Sequence, residues 1–267
     1  MKKLLLLAAT LAFSIGSAAQ ARDAEGTVHH ATAPASLKSD KAYLLFDSSR
    51  AKSGMMQITH VFMRLPTGEE IDAFLTAKRA AYEMELPKLR KRAKDGEVPS
   101  FEDFQFDWNE VENTFAVDMG ASLDKGDTFL IEVPEGTYVL YGVAVGSRAL
   151  TTCNCLGTVK FEAKAGTITN LGSLYADKVH KDSPVPHLED NLGEKMFQYG
   201  FILGQALVPA PQGAALPTLL AHLPAENADL QPVPMFREPR APSINRLAPI
   251  PGVLEYDRGR VVEPANE

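Results

Sequence analysis

The sequence predicts a mainly-β fold: an antiparallel β-sandwich with one helical insertion and a proline-rich C-terminal extension. Three observations carry this. Apolar side chains alternate with period two in short segments between residues 42 and 175, and turn residues bound each segment. One stretch, 67–96, switches to helical spacing. Thirteen of the eighteen prolines fall after residue 176, so the chain changes character there.

The expected strands are 42–47, 55–64, 114–119, 128–133, 137–145, 157–164 and 167–175. Glycine stands where the chain must reverse, in "DKGD" (124–127), "PEG" (134–136) and "KAG" (164–166). In "GTYVLYGVAVG" strict alternation puts Tyr138, Leu140, Gly142 and Ala144 on one face and Val139, Tyr141, Val143 and Val145 on the other. Both faces are apolar, so this strand belongs in the middle of a sheet covered on both sides, or under the extension. The helix opens with a T-x-x-E capping box, Thr67 to Glu70. It carries Ile71, Phe74, Leu75, Tyr82, Leu86 and Leu89 at helical spacing and stops at Asp95-Gly96. Its acids (Glu69, Glu70, Asp72) precede its bases (Lys88, Arg90, Lys91, Arg92, Lys94), as the macrodipole favours. Pro87 removes a donor and crowds the preceding turn, which predicts a kink or a division into two pieces.

"VPEGTYVL" (133–140) followed by "FEAKAGTITNLGSL" (161–174) resembles the end of the transthyretin-like, carboxypeptidase-regulatory-type β-sandwiches of bacterial envelope proteins. The resemblance covers about residues 133–174 and rests on a Pro-x-Gly-x-Tyr turn opening a core strand and an Ala-Gly turn into a strand containing Leu-Gly. It implies a transthyretin/Ig-like sandwich in a non-catalytic accessory or scaffold module. It says nothing about the helical insertion, the cysteines or the extension.

The opening residues read as a secretory leader over 1–21: Lys2 and Lys3, an apolar run from Leu4 to Ile15, and the A-x-A site Ala19-Gln20-Ala21. That run is shorter than the ~20 apolar residues a spanning helix needs, and no later stretch approaches this, so no transmembrane anchor is expected. With no cysteine at the cleavage point, a lipid anchor is not expected either, and the predicted location is the periplasm or the medium. The organisation expected is a leader (1–21), a flexible N-terminal segment (22–36), a sandwich (37–176) holding the insertion (67–96), and an extension (177–267). A formal net charge of -7, from 27 Lys and Arg against 34 Asp and Glu, argues against nucleic acid as a partner.

Candidate chemistry sits in two places. Cys153 and Cys155 are the only cysteines, one residue apart. Three readings compete: a soft metal site for copper or zinc, with helpers among His60, His180, His187, Met55 and Met56; a redox pair; and a structural pair, either disulfide-bonded in a tight turn or packed. In an extended strand their Cα atoms would stand about 6.5–7 Å apart, at or beyond the upper edge of disulfide geometry. The second place is "FEDFQFDWNEVEN" (101–113), where Phe104, Phe106, Asp107 and Trp108 mix rings with carboxylates. It reads as a ligand surface for a glycan, as a calcium site, or as aromatics pinning a crossover to the core. The chain holds no H-E-x-x-H, G-x-S-x-G, G-x-x-x-x-G-K-[ST] or G-x-G-x-x-G.

The leading expectation is a secreted, non-catalytic envelope protein that needs no cofactor and acts by binding or scaffolding on an envelope protein or glycan. The alternatives are a copper- or zinc-handling periplasmic protein centred on Cys153 and Cys155, and an envelope glycan hydrolase using paired acids. The extension carries too much apolar side chain for a disordered tail and is expected to wrap the body or dock on a partner. Its end, 253–262, reads as a hairpin turning at 257–260.

Overall fold

The structure, a computed structural model, describes residues 28–48, 58–93, 96–106, 114–118, 122–145, 150–178, 203–236 and 243–262. The expected leader, the histidines at 180 and 187, the methionines at 55 and 56, and Asp107 and Trp108 lie outside these residues. The fold is mainly β with a single long helix. One sheet runs in the order β1 (Val28–His29), β5 (Thr128–Val133), β2 (Ala42–Ser48), β9 (Ile168–Lys178), β10 (Leu203–Val208), with β11 (Ala225–Asn227) also on β9. The other runs β12 (Gln231–Val233), β8 (Thr158–Ala163), β6 (Gly136–Val145), β3 (Ile58–Arg64), β4 (Thr114–Asp118), and β7 (Leu150–Cys153) pairs with β6 and with β13 (Ser243–Ile244).

Alternation drives the inward side chains of both sheets into one core. Ala42, Leu44, Phe46, Phe129, Ile131 and Leu174 of the first sheet meet Phe62, Tyr138, Leu140, Val159 and Phe161 of the second. A run of rings crosses the interface. Phe129 stacks on Phe46 at 5.3 Å, Phe46 leans on Phe62 at 5.7 Å, Phe62 meets Phe161 edge-on at 6.3 Å, and Phe161 stacks on Tyr138 at 6.1 Å. Each such pair adds about 0.5–1.5 kcal/mol beyond its buried area. The Tyr138 hydroxyl donates to the Pro134 carbonyl at 2.7 Å, which fixes the turn of the "PEGTY" motif. Burial pushes the Tyr138 phenol well above its ordinary value, so it remains a donor.

The sandwich is not purely antiparallel. β2 and β9 run parallel, as do β11 with β9 and β13 with β7. The chain leaves the first sheet after β2, visits the second, returns for β5 and crosses again before β9. That long excursion is what a parallel neighbour requires. Strict alternation also breaks once in each sheet. Between Val61 and Phe62 the register with β6 shifts, so Gly142 faces Val61, Leu140 faces Phe62, and Tyr141 is the extra residue. Tyr141 and Ala144 therefore share the outer face, where strict alternation would separate them. A second shift, between Leu45 and Phe46, makes Leu171 of β9 the extra residue.

The segments on either side of the expected body are built into it. Of the expected N-terminal segment, residues 28–36 are described: β1 pairs with β5, and Ala33, with Leu37 just after it, packs on the outer face of the first sheet. The extension supplies β10 to β13. Its Leu247, Ile250 and Leu254 enter the core between the sheets, and its Leu216, Leu220 and Leu223 cover Tyr43, Leu45, Leu130 and Ile168. Pro232 sits in β12 at a sheet edge, where a missing N–H does not interrupt a ladder. The closing hairpin forms as β14 (Tyr256–Asp257) and β15 (Arg260–Val261).

The insertion is one helix, α1 (Gly68–Ala93), running through Pro87 without dividing. Pro87 and Glu83, whose carbonyl the proline cannot serve as a donor, both lie on the exposed side of the helix, where a carbonyl open to solvent costs little. The capping box forms. Thr67 Oγ1 accepts from the Glu70 amide at 3.2 Å, and the Glu70 carboxylate accepts from the Thr67 amide at 2.7 Å. Arg64 donates to both Glu70 oxygens, at 2.6 and 3.2 Å, tying the first turn of α1 to the end of β3. Those hydrogen bonds from Arg64 hold the Glu70 carboxyl below its usual value. Among the described residues, no helix is long and apolar enough to cross a membrane.

Candidate functional site

Between the sheets, four polar side chains from distant parts of the chain form a connected line. Ser48 ends β2, His60 lies in β3 with its ring inward like Phe62, Gln205 comes from β10, and Asn154 follows β7. Ser48 Oγ is 2.9 Å from His60 Nε2, His60 Nδ1 is 2.8 Å from Gln205 Nε2, and Gln205 Oε1 is 2.7 Å from Asn154 Nδ2. All four are buried, with exposures of 2% or less.

The proton positions along this line follow from its far end. Asn154 Nδ2 also reaches the Leu140 carbonyl at 3.3 Å, and a carbonyl only accepts. Asn154 therefore presents its NH2 to Gln205, Gln205 presents its oxygen to Asn154, and the Gln205 NH2 donates to His60 Nδ1. Nδ1 is then unprotonated, so Nε2 carries the hydrogen and donates to Ser48 Oγ. Burial alone pushes His60 down to about 4, so the ring is neutral. A serine nucleophile needs the reverse polarity, with Nε2 accepting the hydroxyl proton. As oriented, the line is a structural relay joining the two sheets.

The cysteines lie beside the relay but on the other face. Cys153 and Cys155 are joined by a disulfide, with Cα atoms 5.1 Å apart. The span is shorter than the extended value because β7 ends at Cys153 and the chain turns at 155–157. The sulfurs pack on the outer face of the second sheet with Val61, Tyr141 and Ala144, under Met63 and Phe236. Asn154, between them, points the opposite way into the relay. A soft metal needs thiolates, so in this bonded form the pair offers no ligand. No cluster of three or more metal-holding side chains occurs among the described residues.

Gly142 makes this packing possible. With φ at +156°, it lies where a Cβ would stand 1.9 Å from the Thr152 carbonyl oxygen. Only glycine lets β7 approach β6 here. Gly172 plays the same part where β9 meets β10, with φ at +90° and a Cβ position 2.2 Å from the Val208 carbonyl oxygen.

The described part of the aromatic stretch after α1, residues 101–106, packs on the helix. Phe104 and Phe101 meet Tyr82 edge-on at 5.4 and 5.9 Å, and Phe106 lies 5.9 Å from Phe74. Lys78 and Arg79 sit over the Phe101 ring at 5.0 and 4.7 Å, and Tyr82 donates to the Pro99 carbonyl at 2.9 Å. The result is an arm made of α1 and residues 96–106. No residue of α1 is buried, and Ile71, Leu75 and Met84 stay exposed, Met84 at 72%.

A second polar cluster lies on the outer face of the first sheet. The buried Glu132 accepts from Lys38 at 2.8 Å and from the Tyr43 hydroxyl at 3.1 Å, and His30 Nε2 stands 3.6 Å away. Burial pushes the Glu132 carboxyl up, but the hydrogen bonds from Lys38 and Tyr43 and the Lys38 charge outweigh it, leaving it below its usual value.

In the sequence His60 stands out only as a candidate metal helper, and nothing marks Ser48, Gln205 or Asn154. The one available signal is a histidine at an inward position of an alternating strand. No family model, curated protein or solved structure matches the chain.

Proposed function

We propose that the protein is a secreted, non-catalytic component of the bacterial envelope that acts by binding a protein partner through the arm of α1 and residues 96–106. The observation that carries this reading is the arm's composition. It is a 26-residue helix that contributes no buried residue to either core yet keeps Ile71, Leu75 and Met84 in water. Exposed aliphatic side chains one turn apart, such as Ile71 and Leu75, suit a hydrophobic groove on another protein. A glycan would instead need free ring faces, and Phe101 and Phe104 are taken up by Tyr82. The leader-like opening residues 1–21 and the disulfide fit an oxidising compartment outside the cytoplasm.

The test is site-specific photo-crosslinking in intact cells. A photoreactive residue at Leu75 or Met84 is compared with one at exposed sites of the body, Thr218 or Asp229. The expected result is one discrete protein adduct from the arm positions, abolished by Ile71→Asp combined with Leu75→Asp. Adducts of equal yield from the body, or none from the arm, would overturn the proposal.

A further inference from the structure

We propose that the Cys153–Cys155 disulfide is a redox latch: its two-electron reduction by a protein dithiol of the thiol–disulfide oxidoreductase class frees Asn154 and releases the C-terminal segments docked on the Cys-Asn-Cys turn. Three attachments converge on this turn. The Asn154 side chain closes the relay through Gln205, a residue of β10. The Phe236 amide donates to the Cys155 carbonyl at 2.9 Å. The Asn245 amide donates to the Cys153 carbonyl at 2.6 Å, and its own carbonyl accepts from Leu156 at 2.9 Å, where β13 lies along β7.

A bridge that closes only three residues removes little entropy from the unfolded chain, so its effect is on native geometry. It holds the Cα atoms of 153 and 155 at 5.1 Å, where an extended strand would set them about 6.5–7 Å apart. That contraction fixes the spacing of the two carbonyls that Asn245 and Phe236 use. With the bond open, the turn is free to relax toward strand geometry, and the three attachments lose their common reference.

The sulfurs are sealed in the folded state, but by a thin cover. Among the described residues the partly buried cover is Met63 and Phe236, and Phe236 follows Met235, which is 73% exposed, and the three-residue edge strand β12. Lifting this edge opens the site without unfolding either sheet, since short edge elements open at low cost. A thiolate of the dithiol then attacks one sulfur to form a mixed disulfide, and its second thiol resolves it. The products are two cysteine thiols and the oxidised partner, with both electrons drawn from the dithiol.

The experiment is amide hydrogen exchange on the full-length protein, oxidised and then reduced with dithiothreitol in its folded state. We expect protection at Leu156, Phe236, Asn245, Leu247 and Ala248 to fall by about tenfold or more on reduction, while Leu44, Leu45 and Ile131 keep theirs and reoxidation restores the first set. The Asn154→Ala variant, with its disulfide intact, separates bond from side chain. It should lose the fixed Nε2–H signature of His60 in ring nitrogen spectra yet keep protection at Phe236 and Asn245. Unchanged exchange on reduction, a loss spread uniformly over both sheets, or release of Phe236 and Asn245 in oxidised Asn154→Ala would each overturn the latch.

Discussion

Acid should destabilise this protein through the His60 imidazole. His60 is buried against Phe46, whose ring meets it edge-on at 5.8 Å, and its two nitrogens are committed to Ser48 and Gln205. Its ordinary value of 6.5 falls to about 4 on folding. Between those values the unfolded chain binds a proton that the folded chain refuses. The stability this group protects is therefore complete above pH 6.5 and is lost as the pH falls toward 4. At about 1.4 kcal/mol per tenfold change in proton activity, the loss between pH 7.5 and 4.5 is about 2.5 kcal/mol. Urea unfolding followed by circular dichroism at one-unit pH steps measures it, with His60→Gln as the reference. The variant shifts the whole curve by a constant, because it breaks the relay at every pH, but it removes the titration. His30 is also depressed, chiefly by burial, and contributes with the same sign to both proteins, so it cancels in the difference. Glu132 and Glu70 are held below their usual values, so their losses fall at still lower pH and cancel likewise. The difference between the two curves should shrink by about 2.5 kcal/mol on acidification. Curves that stay parallel would refute a neutral, sealed imidazole.

Three further outcomes follow from local geometry. Gly142→Ala puts a methyl 1.9 Å from the Thr152 carbonyl oxygen and should cost on the order of 3 kcal/mol or more in urea unfolding, while Gly213→Ala, at φ +75° with nothing within 4 Å, costs only the left-handed backbone strain, about 1–2 kcal/mol. Glu70→Ala removes both the cap and the Arg64 pair, so exchange protection in the first two turns of α1 should fall by about tenfold, with the sheets unaffected. Pro87→Ala restores an interior hydrogen bond on the exposed side of α1 and should raise protection of the helix without moving the midpoint of sheet unfolding.

Period-two alternation made the body strands legible: 128–133 is found as expected, and the others agree within a few residues at their ends. What alternation hides is where it stops. Nothing in "YVLYGVAVG" marks Tyr141 as an extra residue, because the bulge is set by the register with β3, which lies far away in the chain. The strands of the extension were illegible for a different reason. β11 and β12 are three residues long among prolines, and their pairing is dictated by the edges they cover. The relay was hidden most deeply. Ser48, His60, Asn154 and Gln205 span 157 positions of sequence, and only the sheet order brings them together. The cysteine spacing was read through strand geometry, whereas the strand ends at the first of the two.

The relay also explains how a sandwich with apolar side chains on both faces of its strands selects one alignment. A slide of β10 by two residues keeps every inward position inward and would bring Leu207 toward the place of Gln205, which the hydrophobic core alone would tolerate. It would leave His60 Nδ1 buried without a partner, a cost of about 1–3 kcal/mol, and would leave Asn154 Nδ2 with only its 3.3 Å bond to the Leu140 carbonyl. Polar satisfaction therefore distinguishes registers that apolar burial leaves nearly equal, and it acts on the strand that joins the extension to the body. Because Asn154 is both the end of that relay and the middle residue of the disulfide turn, the alignment of β10 and the docking of Phe236 and Asn245 rest on the same three residues, Cys153 to Cys155.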